Sequence, residues 1–165
     1  MSYVRRFNTK FGKTIPQNVL DVINDQMSDA LAAANNGIPM TAFVEFNKAR
    51  PTDPHFPCVT VYRRSTTNID VPDANVRSTA EFAVEIAIEG PNEDDVMQEL
   101  ETRVEAVDSI IRSDIEANGP RLILAGVDGP AIVEIPEHVY GANEPTGEKH
   151  IRAAALTLTV AMMEF

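Results

Sequence analysis

Residues 81–116 read EFAVEIAIEGPNEDDVMQELETRVEAVDSIIRSDIE, and this stretch decides the fold. From Glu81 to Glu89 the residues alternate with period two. Phe82, Val84, Ile86 and Ile88 point one way, and Glu81, Ala83, Glu85, Ala87 and Glu89 point the other. That is a strand with one buried face. Gly90-Pro91 breaks it, and Asn92 is placed to cap a helix whose first turn, Glu93, Asp94 and Asp95, suits the positive end of the helix dipole. Val96, Leu100, Val104, Val107 and Ile111 then recur every three or four residues, which is one face of a helix. Burying each of them contributes about 1.5–3 kcal/mol. Asn118-Gly119-Pro120 ends the helix.

Working outward toward the N-terminus, residues 58–63 (CVTVYR) form a β-rich segment. The polar run 64–79 (RSTTNIDVPDANVRST) is expected as a long excursion between two antiparallel strands, with Ile69, Val71 and Val76 offering partial hairpin character. Residues 47–57 hold Pro51, Pro54 and Pro57 and read as a loop, and residues 41–46 as a short strand with Phe43 or Val44 inward. A helix is expected over 16–35, with Pro16 in its first turn and Val19, Leu20, Ile23, Met27 and Leu31 on one stripe. Residues 1–14 (MSYVRRFNTKFGKT) carry Arg5, Arg6, Lys10 and Lys13, no acid, and Tyr3, Phe7 and Phe11 at steps of four. This basic arm can be read as a nucleic-acid arm, as an arm docking on an acidic neighbour, or as a frayed terminus.

Toward the C-terminus, residues 121–127 and 131–135 read as two strands that could pair as a hairpin, and 139–149 as a loop. The chain closes on a strand from His150, with Leu156, Leu158, Val160 and Met162 on one face and Thr157, Thr159, Ala161 and Met163 on the other. The division is a basic arm over 1–15 and one α+β domain over 16–165.

The chain of 165 residues has a net charge of −11, which argues against general nucleic-acid binding. Twelve acids and two bases fall within residues 81–116, so the acidic surface there is either solvated or used in assembly. The one cysteine, Cys58, precludes an internal disulfide and reads as a buried strand residue. No apolar run reaches the ~18 residues that a membrane helix needs. No phosphate loop and no CxxC pair occurs, and His55, His138 and His150 are scattered. No enzymatic activity, metal or cofactor is expected. A small-molecule-binding α+β domain, which would need a concave pocket with convergent polar groups, stays as the alternative class.

The layout resembles the tail terminator, or tail-completion, proteins of long-tailed bacteriophages. The pieces that carry the resemblance are PCVTVYRR (57–64), the polar run 65–79, the strand and helix at 82–115, and IRAAALTLTVAMMEF (151–165), together spanning about residues 16–165. It implies a mixed, mostly antiparallel sheet with two main helices packed on one face, without cofactor. It further implies a homo-oligomeric ring, typically a hexamer, located in the virion tail or neck after assembly in the host cytoplasm. Such a ring caps the tail tube, stops its polymerisation and offers a surface to the head connector. Another neck or head–tail joining protein, or a tail-tube-like subunit, has a similar layout. On this reading Arg5, Arg6, Phe7, Lys10, Arg63, Arg64, Asp70, Asp73 and Arg77 are expected at a subunit or partner interface. Glu81, Glu85 and Glu89 are expected on an acidic face that lines the lumen, through which DNA may pass without specific binding, or borders a neighbour. Lysines at Glu85 and Glu89 are expected to leave folding nearly unchanged but to alter assembly or DNA passage.

Overall fold

A computed structural model describes residues 9–37, 40–71, 75–127 and 131–164. In chain order the elements are α1 (Thr9–Ala34), β1 (Glu45–Asn47), β2 (Cys58–Val71), β3 (Asn75–Gly90), α2 (Glu93–Asn118), β4 (Ala131–Tyr140), β5 (Glu144–Thr146) and β6 (Lys149–Glu164). The sheet runs β1-β2-β3-β6-β4, with β5 paired to the start of β6. Only β1 and β2 are parallel, and every other pair is antiparallel. Helices α1 and α2 lie side by side on one face, so the α+β class and the one-sided helix layer are as expected.

The core forms where the period-two face of β3 meets the period-3.6 faces of the helices. Phe82, Val84 and Ile86 stand opposite Leu158, Leu156 and Ala154 of β6, while Val84 and Ile86 stand opposite Val61 and Val59 of β2. All are buried, together with Ile15, Val19, Ile23, Met27 and Leu31 of α1 and with Val96, Leu100, Val104, Val107 and Ile111 of α2. Asn92 caps α2 as read, its side-chain oxygen accepting from the N–H groups of Asp94 at 3.0 Å and Asp95 at 3.2 Å. Gly119 closes the helix at φ 60°, a left-handed turn that glycine adopts without strain. Gly90 is required by proximity, because a Cβ there would sit 2.8 Å from a Val96 methyl.

Several boundaries differ from the sequence reading. Helix α1 begins by Thr9 and carries Pro16 inside it, so residues 9–15 of the expected arm are helix. An interior proline forfeits one helical hydrogen bond. Burial of Ile15 and packing of the Arg63 guanidinium over the bare backbone at Gly12 offset that loss. The strand expected at 41–46 shortens to Glu45–Asn47, with Phe43 inward and Val44 exposed.

The run 64–79 is not an excursion. Strands β2 and β3 stay paired from Cys58↔Ala87 out to Val71↔Asn75, with one irregularity between Arg63 and Ser65. β3 remains paired to β6 as far as Val76↔Glu164. The outer part lies beyond the helix layer, where Ser65 and Thr67 are exposed. The run lacks the apolar alternation that marks a half-buried strand in sequence.

Residues 121–126 form a turn rather than a strand. The buried Asp114 carboxylate of α2 accepts from the N–H of Leu122 at 3.1 Å and of Ile123 at 2.9 Å. From the other side, the Asn18 amide of α1 donates to the carbonyls of Ile123 at 2.9 Å and Ala125 at 2.7 Å. These bonds take the backbone groups a strand would have offered to the sheet. Strand β4 consequently pairs with β6, not with 121–127, and extends to Tyr140. Pro136 falls at its register break, on an edge strand, where a missing N–H is tolerated. The loop expected at 139–149 contains β5.

Replacing Asp114 by Ala leaves two backbone N–H groups without acceptors, and a loss of about 2–4 kcal/mol is expected. Asn18→Ala frees two carbonyls nearer to water and is expected to cost less, about 1 kcal/mol. Urea unfolding of the two variants against wild type measures both losses and their order.

Candidate functional site

With both helices on one side, the other face of the sheet is open, and it carries the acids singled out in the sequence. Glu81, Glu85 and Glu89 project from alternate positions of β3 onto this face. Across the sheet Glu81 stands opposite Ser65 and Thr159, Glu85 opposite Thr60 and Ala155, and Glu89 opposite Ile151.

Each acid of the row meets a cation from the same chain. Glu81 lies 3.6 Å from Arg64 and accepts from the Ser65 hydroxyl at 3.3 Å. Glu89 accepts from Lys149 Nζ at 3.1 Å. Glu85 is the most elaborate: Arg50 Nε donates to its two oxygens at 3.2 and 3.1 Å, and the Tyr62 hydroxyl donates at 2.7 Å. The Arg50 guanidinium also lies 5.5 Å from the Tyr62 ring centre, a cation–π distance. The row is thus charge-compensated within the monomer. A lysine at Glu85 would face Arg50 and deprive Tyr62 of its acceptor.

Partial burial of Glu85 pushes its carboxyl upward, but the hydrogen bonds from Arg50 and Tyr62 outweigh it and hold the group below the usual 4.5. The Tyr62 hydroxyl is displaced upward by burial and by Glu85. On α2, Asp108 is engaged by Arg112 at 2.7 Å and by His138 of β4 at 2.9 Å. Glu101 and Glu105 of α2 are not ion-paired among the described residues, and they reinforce the effect of burial in raising the Tyr140 phenol. The uncompensated acid therefore sits on the outer face of α2 rather than on β3.

Of the remaining expected interface residues, Arg64 lies on the open face, whereas Arg63 packs against α1 at Gly12. Lys10 falls in the first turn of α1. Asp70 and Arg77 lie in the outer hairpin, opposite Val76 and Ile69. Arg5, Arg6, Phe7 and Asp73 are outside the described residues. The structure thus brings Arg64 to Glu81 and keeps the other two acids for Arg50 and Lys149.

Arg50 carries no local signal in the proline-rich loop, being 35 residues from Glu85. Arg103 could have been found, since it falls three residues after Leu100 on the apolar stripe. It is buried, bound to Glu99 at 2.8 Å and to the Thr41 carbonyl at 2.7 Å, and it lies 5.3 Å from the Phe43 ring centre. It pins the segment entering β1 to α2.

Two adjoining hollows of about 360 and 420 Å3 flank Arg50 and Glu85 on the open face. Pro51, Phe56, Cys58 and Ile151 line one, and Val139, Gly141 and Ala155 line the other. Cys58 is buried, and desolvation, aided by Glu45 and Glu85, pushes its thiol up to about 11. It is a thiol, not a thiolate, at neutral pH. His55 contacts Glu45 at 2.8 Å and His150 contacts Asn143 at 3.0 Å, so the histidines serve separate local bonds. Among the described residues no three His, Cys, Asp or Glu side chains gather as metal ligands, and no helix is long and apolar enough to cross a membrane.

No family model and no curated protein matches the chain. Among solved structures, it is similar to a chain in "Virion of native gene transfer agent (GTA) particle", at a TM-score of 0.43 and 12% identity. The match covers 95% of this chain and 100% of that one. A likeness at this level assigns no residue a role.

The Glu85 geometry has a pH signature. A carboxyl held below its free value of 4.5 contributes stability above that pH and loses it as pH falls through the lower folded value. Wild type is expected to be more stable than Glu85→Gln at about pH 7, with the difference shrinking as the pH falls below 4.5 and through the lower folded value. Urea midpoints of the two proteins across that range measure it, and a pH-independent difference would contradict the geometry.

Proposed function

We propose that this chain is a structural subunit of a phage-type tail: a tail terminator that forms a homo-oligomeric ring, caps the tail tube and presents the head-joining surface. It acts without catalytic turnover or cofactor. The observation that carries the reading is the one-sided sheet. Its other face carries an internally charge-balanced row of acids among small and hydroxylic residues, which suits packing against protein. The order α1, β2, β3, α2 and closing β6 follows the layout on which the sequence resemblance rests, except that its long polar loop at 65–79 is a paired hairpin. Compensation of Glu81, Glu85 and Glu89 favours subunit or partner contact for that row over a repulsive DNA lining. The uncompensated acids of α2 are the better source of a field that keeps passing DNA from adhering.

The outer hairpin supports a partner-contacting role. Past the pair Thr66↔Ala80 the two strands continue through five more pairs, about 16 Å at the usual strand rise. An element beyond the helix layer can change without cost to the core. The hollows beside Arg50 favour the second reading, a ligand-binding α+β domain. Its weakness is that Arg50, Glu85 and Tyr62 already satisfy one another.

Two measurements test the proposal. Light scattering after size exclusion, with negative-stain imaging, should show a ring formed alone or upon mixing with tail-tube protein. A strict monomer under both conditions would overturn it. In a second protein, residues 69–77 are replaced by Asn-Gly, a two-residue turn joining the paired Asn68 and Ser78. This variant is expected to unfold within about 1 kcal/mol of wild type, as surface changes do, while its capture of tube protein falls sharply.

A further inference from the structure

We infer that the flank of α2 beside β4, at Glu101, Glu105 and Tyr140, docks an arginine from a second copy of this chain, supplied by its basic N-terminal segment, residues 1–8 (MSYVRRFN). The inference deepens the ring reading, which it needs only for closure of the assembly. The described part of the chain twice builds the same unit, an arginine set against an aromatic ring and bonded to a glutamate. Arg50 lies 5.5 Å from the Tyr62 ring centre and bonds Glu85. Arg103 lies 5.3 Å from the Phe43 ring centre and bonds Glu99 at 2.8 Å. A guanidinium gains from both contacts at once, the face of the ring and the carboxylate. A third place in the fold has the ring and the carboxylates. Glu101 and Glu105 of α2 and Tyr140 of β4 are all exposed. Partial burial raises the Tyr140 phenol, and the charges of Glu101 and Glu105 add to it, so the three groups act on one another. His138 of β4, bonded to Asp108 of α2 at 2.9 Å, fastens the strand to the helix beside them. Among the described residues no cation is bonded to Glu101, Glu105 or Tyr140: Arg112 is given to Asp108 and Arg152 to the Gly141 carbonyl.

Charge and reach select the occupant. Residues 1–8 hold Arg5 and Arg6 between Val4 and Phe7, with no acid, in a chain whose net charge is −11. Within one chain these arginines fall short of the site. Helix α1 packs on β2 with Gly12 beside Arg63, while Tyr140 is three strands away and, by register, four residues further along β6. That separation is about 20 Å in the plane of the sheet at the usual strand spacing and rise. The path must also cross α2, a rod about 10 Å thick that packs beside α1 and over β3 and β6. Arg5 is four residues before Thr9, which gives it about 14 Å of extended backbone. The same segment of a neighbouring copy meets no such limit. Each copy then gives one arm and receives one, a head-to-tail contact that can close into a ring.

Charge reversal in the full chain tests the inference. Sedimentation of wild type should show self-association. Arg5→Glu combined with Arg6→Glu should weaken it roughly tenfold or more, and so should Glu101→Arg combined with Glu105→Arg, because each turns attraction into like-charge repulsion. Glu101 and Glu105 are exposed, so the urea midpoint of the second variant should stay near that of wild type. Mixed in equal amounts, the two variants should associate again, since each arm then meets the opposite charge on the other protein. Neither a folding defect nor an arm bound within its own chain can produce that recovery. Tyr140→Phe keeps the ring and should associate as wild type does, whereas Tyr140→Ala should weaken association several-fold. A wild type that stays monomeric, association unchanged by reversal of the arm, or a mixture that fails to recover would overturn the inference. Rings that persist after reversal of the arm would remove the inference and leave the ring reading standing. Arm-dependent open chains that never close would do the reverse.

Discussion

The packing of one face of β3 holds the structure together. Phe82, Val84, Ile86 and Ile88 are covered above by the two helices and flanked on both sides by paired strands, β2 and β6. Because side chains alternate along a strand, this single burial decides the register of its neighbours: a slip of one residue would turn these apolar groups out and Glu81, Glu85 and Glu89 in. Helix α2 follows directly through Gly90, whose missing Cβ lets Val96 close against the strand end. Helix α1 then fills the space over β2, and β6 extends the same apolar surface with Leu156, Leu158 and Val160.

Everything on the open face follows from that commitment. Glutamates forced outward by the register must be hydrated or paired, and here each is met by a base that tertiary structure delivers from another segment. Arg50 comes from the proline-rich loop, Arg64 from the β2 irregularity and Lys149 from the start of β6. The acidity that stands out in residues 81–116 is therefore two different things. On β3 it is compensated and helps to tie the loop over 47–57 to the sheet; on α2 much of it remains a free surface charge.

The same asymmetry shapes the functional reading. Of the buried polar residues, Asp114 and Arg103 are engaged in holding the chain. Asp114 and Asn18 secure the turn after α2, and Arg103 secures the entry to β1. They leave the chemistry of this protein in its surfaces.

The sequence by itself determined the central strand, α2 with its caps, the apolar stripe of α1 and the one-sided α+β class. Those features rest on periodicity within a dozen residues and on local bonds such as that of Asn92. Arg103 was legible in principle, since its spacing from Leu100 and Val104 places it on the buried stripe. Residues 64–79 and 121–127 were misread for opposite reasons. The first is polar in sequence, yet the backbone bonds of two neighbouring strands keep it extended. The second has a strand-like composition, yet two side chains from distant helices claim its N–H and carbonyl groups before the sheet can. Which cations meet Glu85 and Glu89 was decided only in the tertiary structure. Those pairings join residues tens of positions apart, and no local propensity encodes them.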